Sequence, residues 1–303
     1  MIAELLRLQI EEVWGRGRVD LVDTIYAPDC IDHMPVPGQA AGLEPMKQVV
    51  RDFCAAMPDL TMTLTGVIEG GPIGVDWWTL TGTHTGPLFG TPPTGRPVRI
   101  AGLDMVRAEG GRVTDLWHVE EMLQLWQQLG VEPPHGAPGE RAGDAVTTPH
   151  DDPGRGADVA CAPDPSATEL RNLAVARQHI EEMWARGNGA LGEVLYAPGV
   201  VDHNPAPGQR PGIAGIVDLI DAMTAAVPDL RMQVHQYVVA GDHVADRWTM
   251  TGTHTGAPLM GLPAKGRRFT IAGMDVVRID ESGRIAEIWH VEEFDRMRAA
   301  IAG

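Results

Sequence analysis

Histidines in matched positions are the residues of this sequence best suited to chemistry. Of its eleven histidines, six form three pairs that recur in two similar stretches of the chain. The pairs are His33 with His203, His84 with His254, and His118 with His290. A neutral imidazole titrates near pH ~6.5, so it suits proton abstraction next to a carbonyl group at cellular pH. We therefore predict that His118 and His290 each act first as general base and then as general acid. The alternative is that they are buried core histidines held by hydrogen bonds.

Acidic and aromatic residues accompany these histidines on the predicted strands. Asp104 and Asp275 have three roles open to them: to orient the imidazole, to carry the proton themselves, or to form a purely structural pair with it. We predict substrate contacts at His84, Glu120, Trp78, His254, Glu292 and Trp248. The alternatives for these residues are turn chemistry for the histidines and core packing for the tryptophans.

The first matched histidine in each of the two similar stretches is predicted to lie in a loop. His33 and His203 each precede a Pro-x-Pro-Gly segment, which forms a rigid turn. We assign them the role of donor to the substrate oxygen, with a hydrogen bond that fixes the loop as the alternative.

The spacing of the candidate ligands and motifs in the sequence does not favour a metal site or a nucleotide site. Histidine with aspartate or glutamate is a common ligand set for transition metals, but the HExxH helical spacing is absent. The sequence also lacks a phosphate-binding loop, a nucleophile elbow and a dinucleotide fingerprint. We therefore expect neither a metal nor a cofactor.

The amino-acid composition limits the classes of partner that this protein is expected to bind. With 24 Lys and Arg against 41 Asp and Glu, the net charge is −17, which repels nucleic acid and anionic membranes. The three cysteines, Cys30, Cys54 and Cys161, suit neither a disulfide framework nor a zinc site. The N-terminus reads as an amphipathic helix and not as a signal peptide, and no run of apolar residues is long enough to span a membrane. A soluble cytoplasmic protein is expected.

An internal repeat organises the chain. IEEVWGRG at 10–17 recurs as IEEMWARG at 180–187, and WHVEE at 117–121 recurs at 289–293. Between the copies, 133–166 is rich in Pro, Gly and Asp and lacks aromatic residues, which is typical of a flexible linker. The sequence thus predicts one domain over 1–132, a linker over 133–166, and a second domain over 167–303.

Each copy begins with helices and continues with strands. Leu6, Ile10, Val13 and Trp14 recur at helical spacing, and a second helix is predicted over 45–56. The apolar period then changes to two in four segments, at 62–64, 75–85, 98–107 and 113–121. This order predicts an α+β fold in which helices cover one face of a curved antiparallel sheet and leave an apolar, cone-shaped cavity between them.

Several motifs resemble those of the SnoaL-like polyketide cyclases of the NTF2-like superfamily. They are DHMPVPG at 32–38, TGTHTG at 81–86 with LFGTPPTGR at 88–96, AGLDMVR at 101–107, GGRVTDLWH at 110–118 and LWQQLG at 125–130. The resemblance covers both copies and implies two tandem cone-shaped α+β barrels. It also implies cofactor-free acid/base chemistry in secondary metabolism, with the two copies paired about a pseudo-twofold axis.

One departure from the family pattern concerns the proton carrier. The resemblance implies a carboxylate one residue after the strand tryptophan, where this sequence has His118 and His290. It implies a histidine at the facing position, where Asp104 and Asp275 stand. The two residue types have exchanged places, which retains a His and carboxylate pair. The loop histidine carries over to His33 and His203.

These observations lead to a cofactor-independent cyclase or isomerase acting on an apolar carbonyl compound of polyketide type. One alternative is an epoxide hydrolase or dehydratase that uses the pocket carboxylates. Another is a small-molecule-binding module without catalysis, since one fold supports many functions. Because the fused copies would occupy each other's pairing surface, we expect an intrachain pseudo-dimer that is monomeric or only weakly oligomeric.

Overall fold

The computed structural model describes residues 1–36, 38–132 and 156–303 and divides the chain into two compact units, Met1–Ala145 and Val146–Gly303. The boundary falls within the predicted linker. Residues 133–155 of that linker lie outside the described residues. In the described remainder, a short strand, β6 (Asp158–Ala160), pairs in parallel with β8 (Arg231–Ala240). Each unit matches one copy of the repeat and is an α+β domain, as predicted.

The first copy opens with helices and closes with a sheet and a helix. Its helices are α1 (Ile2–Arg7), which continues as a π-helical segment over Leu8–Trp14, α2 (Val22–Ile25), α3 (Leu43–Ala56) and α4 (Met122–Leu129). Its strands are β1 (Tyr26–Asp32), β2 (Thr61–Gly70), β3 (Ile73–Thr83), β4 (Pro97–Glu109) and β5 (Arg112–Glu120). The predicted second helix and four strands are all present, with shifted ends.

The second copy repeats this order. Its helices are α5 (Ala167–Arg177), which continues as a π-helical segment over Gln178–Trp184, α6 (Gly192–Leu195), α7 (Ile213–Ala226) and α8 (Phe294–Ala302). Its remaining strands are β7 (Tyr196–Asp202), β9 (His243–His254), β10 (Arg267–Ile279) and β11 (Ile285–Glu292). Within the described residues, no helix combines the length and the apolar character needed to cross a lipid bilayer.

Each sheet is mixed, because one strand of the first sheet and two strands of the second, β6 and β7, pair in parallel with a neighbour. The strand order in the first copy is β1-β5-β4-β3-β2, and β1 runs parallel to β5. The expectation of a wholly antiparallel sheet is therefore wrong at β1, which the sequence analysis did not predict as a strand. Pro28 breaks the apolar alternation there, and proline is tolerated because β1 is an edge strand.

The helices cover the inner face of the sheet. In the first copy Leu6, Ile10 and Val13 are buried, as the helical spacing predicts. Gly74 on β3 lies under α1, and a Cβ atom there would stand 2.4 Å from Ile2. This close approach holds the first helix against the sheet and encloses the space in which the candidate site lies.

Candidate active site

A cavity in the first copy lies between the helices and the inner sheet face. Most of its lining is apolar, contributed by Ile10, Trp14, Val36, Met46, Val49, Phe53, Met62, Trp78, Leu80, Ile100, Leu116 and Met122. The polar lining residues are Gln9, Tyr26, Asp32, Gln39, Asp104, His118 and Glu120. An apolar cavity with a few convergent polar groups is the usual form of a small-molecule site.

The imidazole of His118 is held between two carboxylates. Its Nδ1 lies 2.6 Å from Oε1 of Glu120, and its Nε2 lies 3.2 Å from Oδ1 of Asp32. A neutral imidazole has only one N–H, so two carboxylate partners favour the doubly protonated ring. Burial opposes this charge, but Glu120 and Asp32 together raise the pKa of His118 well above its usual value. The resting site therefore contains an imidazolium ion.

Asp32, at the end of β1, is fixed by its own hydrogen bonds. Its Oδ1 accepts from the backbone N–H of Met34 at 2.9 Å, and its Oδ2 accepts from Nε2 of Gln39 at 2.9 Å. Burial works against ionisation, but the charge of His118 and these bonds lower the pKa of Asp32. The carboxylate is thus charged and oriented toward His118.

Asp104 faces the same cavity with a different environment. It lies opposite His118 in the register of β4 and β5, and its Oδ2 accepts a 2.6 Å hydrogen bond from Nε2 of Gln9. Gln9 in turn accepts a 2.5 Å bond from the hydroxyl of Tyr26. Burial raises the pKa of Asp104 to about 7, despite the opposing charge of His118. Asp104 therefore exchanges a proton near neutral pH.

A second carboxyl group lies behind Asp104. Asp76 on β3 is its cross-strand neighbour, is completely buried, and has no hydrogen-bond partner for either oxygen among the described residues. Burial, and then the charge of Asp104, raise the pKa of Asp76 well above its usual value. A carboxyl group in such surroundings is held in its neutral form.

The second copy reproduces this arrangement around His290. Its Nδ1 lies 2.7 Å from Oε1 of Glu292, and its Nε2 lies 3.1 Å from Oδ1 of Asp202. Asp275, the cross-strand neighbour of His290, accepts a 3.2 Å hydrogen bond from Nε1 of Trp248. Burial raises the pKa of Asp275 to about 7. Both copies therefore place a histidine between two carboxylates, opposite a buried aspartate.

The loop histidines lie on the opposite face of the sheet from this site. The ring of His33 stacks on Trp117 with a centroid separation of 4.5 Å, and its Nε2 lies 2.9 Å from Asp115. His203 stacks on Trp289 at 4.4 Å. Side chains alternate along β5, so Trp117 points away from the face that carries His118. The structure thus does not bring His33 or His203 to the predicted substrate-oxygen position, and the loop-fixing alternative fits their contacts.

The remaining predicted contacts divide between the cavity and the turns. Glu120 and Trp78 line the cavity, whereas His84 is buried directly after β3, where its Nδ1 lies 3.1 Å from Oγ1 of Thr94 in the following loop. His254 contacts the carbonyl oxygen of Ala257 through Nε2 at 2.9 Å. These contacts are typical of turn chemistry.

Both copies match the sequence model of one protein family. The family model described as SnoaL-like polyketide cyclase matches residues 4–129 and again residues 174–300. The chain belongs to the SnoaL-like polyketide cyclase family. The two matched ranges are the two copies, so this SnoaL-like chain is a tandem repeat of the family domain, as the sequence motifs indicated.

Three solved structures that are similar to this SnoaL-like chain each correspond to less than half of it. TsrD from Streptomyces laurentii is 26% identical, covers 43% of this chain and 94% of its own, and has a TM-score of 0.40. IdmH, a putative polyketide cyclase from Streptomyces antibioticus, is 27% identical over 43% of this chain and 99% of its own, with a TM-score of 0.39. A putative polyketide cyclase from Bacillus cereus is 20% identical over 48% and 91%, with a TM-score of 0.43. A search of curated proteins found no match.

Sequence reasoning missed several polar residues of this SnoaL-like site. Asp32, Gln39 and Asp76 were not singled out, although each recurs in the second copy, as Asp202, Gln209 and Asp246. Their recurrence was the available signal. Among the described residues, no group of three or more His, Cys, Asp or Glu side chains is placed to hold a metal ion.

Proposed function

We propose that each copy is a cofactor-independent acid/base site that isomerises or cyclises an apolar carbonyl compound of polyketide type. The observation that carries this proposal is the buried carboxyl group of Asp104, which lines the cavity directly opposite His118 in the sheet. Burial raises the pKa of this group to about 7. A base with a pKa near the working pH is the most effective for abstracting a proton next to a carbonyl group. The apolar lining suits a largely uncharged substrate.

The proposal changes the roles expected from sequence. Both ring nitrogens of His118 are engaged by Glu120 and Asp32, so these residues orient the imidazole and Asp104 does not. We therefore assign proton transfer to Asp104 and Asp275. His118 and His290 supply a fixed positive charge that stabilises the developing oxyanion.

The proposed step conserves protons and electrons. The carboxylate of Asp104 takes a proton from the carbon next to the carbonyl. The C–H electron pair forms a C=C bond, and the π pair of the carbonyl group moves onto its oxygen to give an enolate. The enolate carbon then attacks a second carbonyl carbon of the same substrate, or, in a conjugated enolate, a different carbon takes the proton back from Asp104 and the double bond is shifted. In the first case the proton on Asp104 passes to the new alkoxide, which regenerates the carboxylate.

Deuterium exchange tests this proposal without knowledge of the natural substrate. The probe is 1-tetralone, an apolar ketone with protons next to its carbonyl, incubated with the full chain in D₂O and followed by mass spectrometry. We expect exchange above the uncatalysed rate, and a loss of about 100-fold or more in the double variant Asp104→Asn with Asp275→Asn.

The matched control replaces carboxylates outside the cavity. Asp59 and Asp229 each bind a threonine at the end of a strand, Thr83 and Thr253 respectively. The variant Asp59→Asn with Asp229→Asn is expected to keep the exchange rate. Tetralone that binds but gains no deuterium would instead favour the non-catalytic binding module.

A further inference from the structure

The two copies differ at one buried position next to the proposed proton carrier. Gln9 in the first copy corresponds to His179 in the second, because each directly precedes the repeated Ile-Glu-Glu segment. Both residues lie in a π-helical segment and are almost completely buried. π-Helical turns occur often at functional sites, where they redirect side chains.

In the first copy the amide of Gln9 is used within the protein. Its Oε1 accepts from the hydroxyl of Tyr26, and its Nε2 donates to Oδ2 of Asp104 at 2.6 Å. The side chain therefore links a tyrosine to the proton carrier.

In the second copy the equivalent tyrosine determines the form of the histidine. The hydroxyl of Tyr196 lies 2.8 Å from Nδ1 of His179. Burial raises the pKa of Tyr196 well above its usual value, so the hydroxyl keeps its proton, and we assign it as the hydrogen-bond donor to Nδ1. Burial also lowers the pKa of His179 to about 3, so the ring is neutral. A neutral ring that accepts at Nδ1 carries its proton on Nε2.

The Nε2–H of His179 points toward the site without being bound there. Nε2 lies 4.0 Å from Oδ2 of Asp275, which is beyond hydrogen-bonding distance. That oxygen accepts instead from Nε1 of Trp248 at 3.2 Å. Among the described residues, Nε2 of His179 has no hydrogen-bond partner, and the residue is 0% exposed. Buried donors are rarely left unsatisfied without a functional reason.

We propose that His179 is a catalytic residue of the second copy, in which its Nε2–H donates a hydrogen bond to the carbonyl oxygen of the substrate. This inference rests on the proposed function, because it supplies the donor for the oxygen that becomes an enolate. A neutral imidazole is suited to that task, since it polarises a carbonyl group without transferring its proton first. The two copies therefore hold the substrate oxygen differently, and only the second does so through an imidazole at this position.

NMR on the unaltered full chain tests the tautomer. With ¹⁵N-labelled histidine, the ring shifts of His179 are expected to show a neutral ring protonated at Nε2 between pH 5 and 8. A ring protonated at Nδ1, or a doubly protonated ring, would overturn the proposal whatever the protein's activity.

Binding of 2-naphthol, an apolar phenol whose oxygen mimics the enolate oxygen, tests the donor. Signals of His118 and His290 report binding to the first and second copy separately. We expect saturation to shift the Nε2–H signal of His179 downfield. His179→Leu should raise the Kd of the second copy about tenfold or more and leave that of the first copy unchanged.

Gln9→Leu is the matched variant, since it removes the equivalent buried side chain from the first copy, and it should leave the Kd read at His290 unchanged. An Nε2–H signal of His179 that does not move with naphthol, or a Kd of the second copy that His179→Leu does not change, would overturn the donor role. Failure of the proposed function would appear separately, as an absence of tetralone exchange in the unaltered chain.

Discussion

Asp104 lies directly opposite His118 in the register of β4 and β5, yet the ring nitrogens of His118 contact two other carboxylates. Glu120 reaches Nδ1 from the same strand, and Asp32 reaches Nε2 from the parallel edge strand β1. Asp104 instead accepts a hydrogen bond from Gln9 and lines the cavity. This separation gives the site one fixed cation and one carboxyl group that titrates near neutrality.

Replacement of Asp104 by asparagine should stabilise the protein above neutral pH. Because the pKa of Asp104 is raised from its usual 3.8 to about 7, the folded state retains a proton that the unfolded state releases above pH ~4. Stability from this group therefore falls as the pH rises from about 4 to 7. We expect Asp104→Asn to raise the Tm at pH 8 by roughly 2–4 °C, with a smaller gain at pH 5. Thermal unfolding at both pH values measures this.

Asp59→Asn is the control variant, for which the opposite change in Tm is expected. Hydrogen bonds from Thr83 lower the pKa of Asp59, so its ionised form is favoured by folding. This variant should lower the Tm at pH 8. A lower Tm for Asp104→Asn at that pH would contradict the assigned burial cost.

The charge of His118 should persist at neutral pH and depend on Asp32. We expect ¹⁵N shifts of His118 to show a doubly protonated ring at pH 7, and Asp32→Asn to lower its pKa toward 6.5. Because the pKa of His118 is raised on folding, its stabilising contribution is complete below pH ~6.5 and is lost as the pH rises through the folded value. A ring that is neutral at pH 7 in the unaltered protein would refute the imidazolium assignment.

Deuterium exchange of 1-tetralone should increase with pH through neutrality. The base form of Asp104 and Asp275 appears as the pH passes about 7, so the rate should fall about tenfold for each unit below pH 6 and level off above pH 8. A carboxylate with an ordinary pKa would instead keep its rate well below pH 6. A rate that is constant from pH 5 to pH 8 would rule out Asp104 as the base.

Gly102→Ala should displace the indole of Trp78 from the cavity wall. A Cβ atom at Gly102 would lie 2.2 Å from the Trp78 ring, so the ring or the strand must move. We expect a loss of about 1–3 kcal/mol in the free energy of unfolding, measured by urea denaturation. Gly199→Ala is the control, since a Cβ atom there meets nothing within 4 Å. Equal effects of the two substitutions would argue against this packing constraint.

His33→Ala combined with His203→Ala should leave catalysis intact in both copies and reduce stability. His33 stacks on Trp117 and contacts Asp115 on the sheet face opposite His118. We expect the tetralone exchange rate to stay within about twofold while the Tm falls by a few degrees. Loss of exchange with an unchanged Tm would restore the sequence-based role of substrate-oxygen donor.

The internal repeat and the spacing of apolar residues were sufficient to predict the number of domains and the order of their helices and strands. Recurrence of IEEVWGRG and WHVEE predicted two copies, and the change of apolar period from 3.6 to 2 predicted helices followed by strands. The sequence also singled out His118, Glu120 and Asp104 as candidate site residues, and all three line the cavity. The apolar periods are local properties, because they depend on spacing along a single element.

Only the tertiary structure decided which groups meet. Asp32 comes to His118 across 86 residues through a parallel strand whose proline hid it from the strand pattern. The face of the sheet on which His33 lies likewise depends on the packing of separate elements, and so do the contacts of Gln9 with Asp104 and of His179 with Tyr196. The pKa values of His118 and Asp104 follow from burial and from charges on neighbouring strands, and neither is encoded in the spacing of residues along one strand.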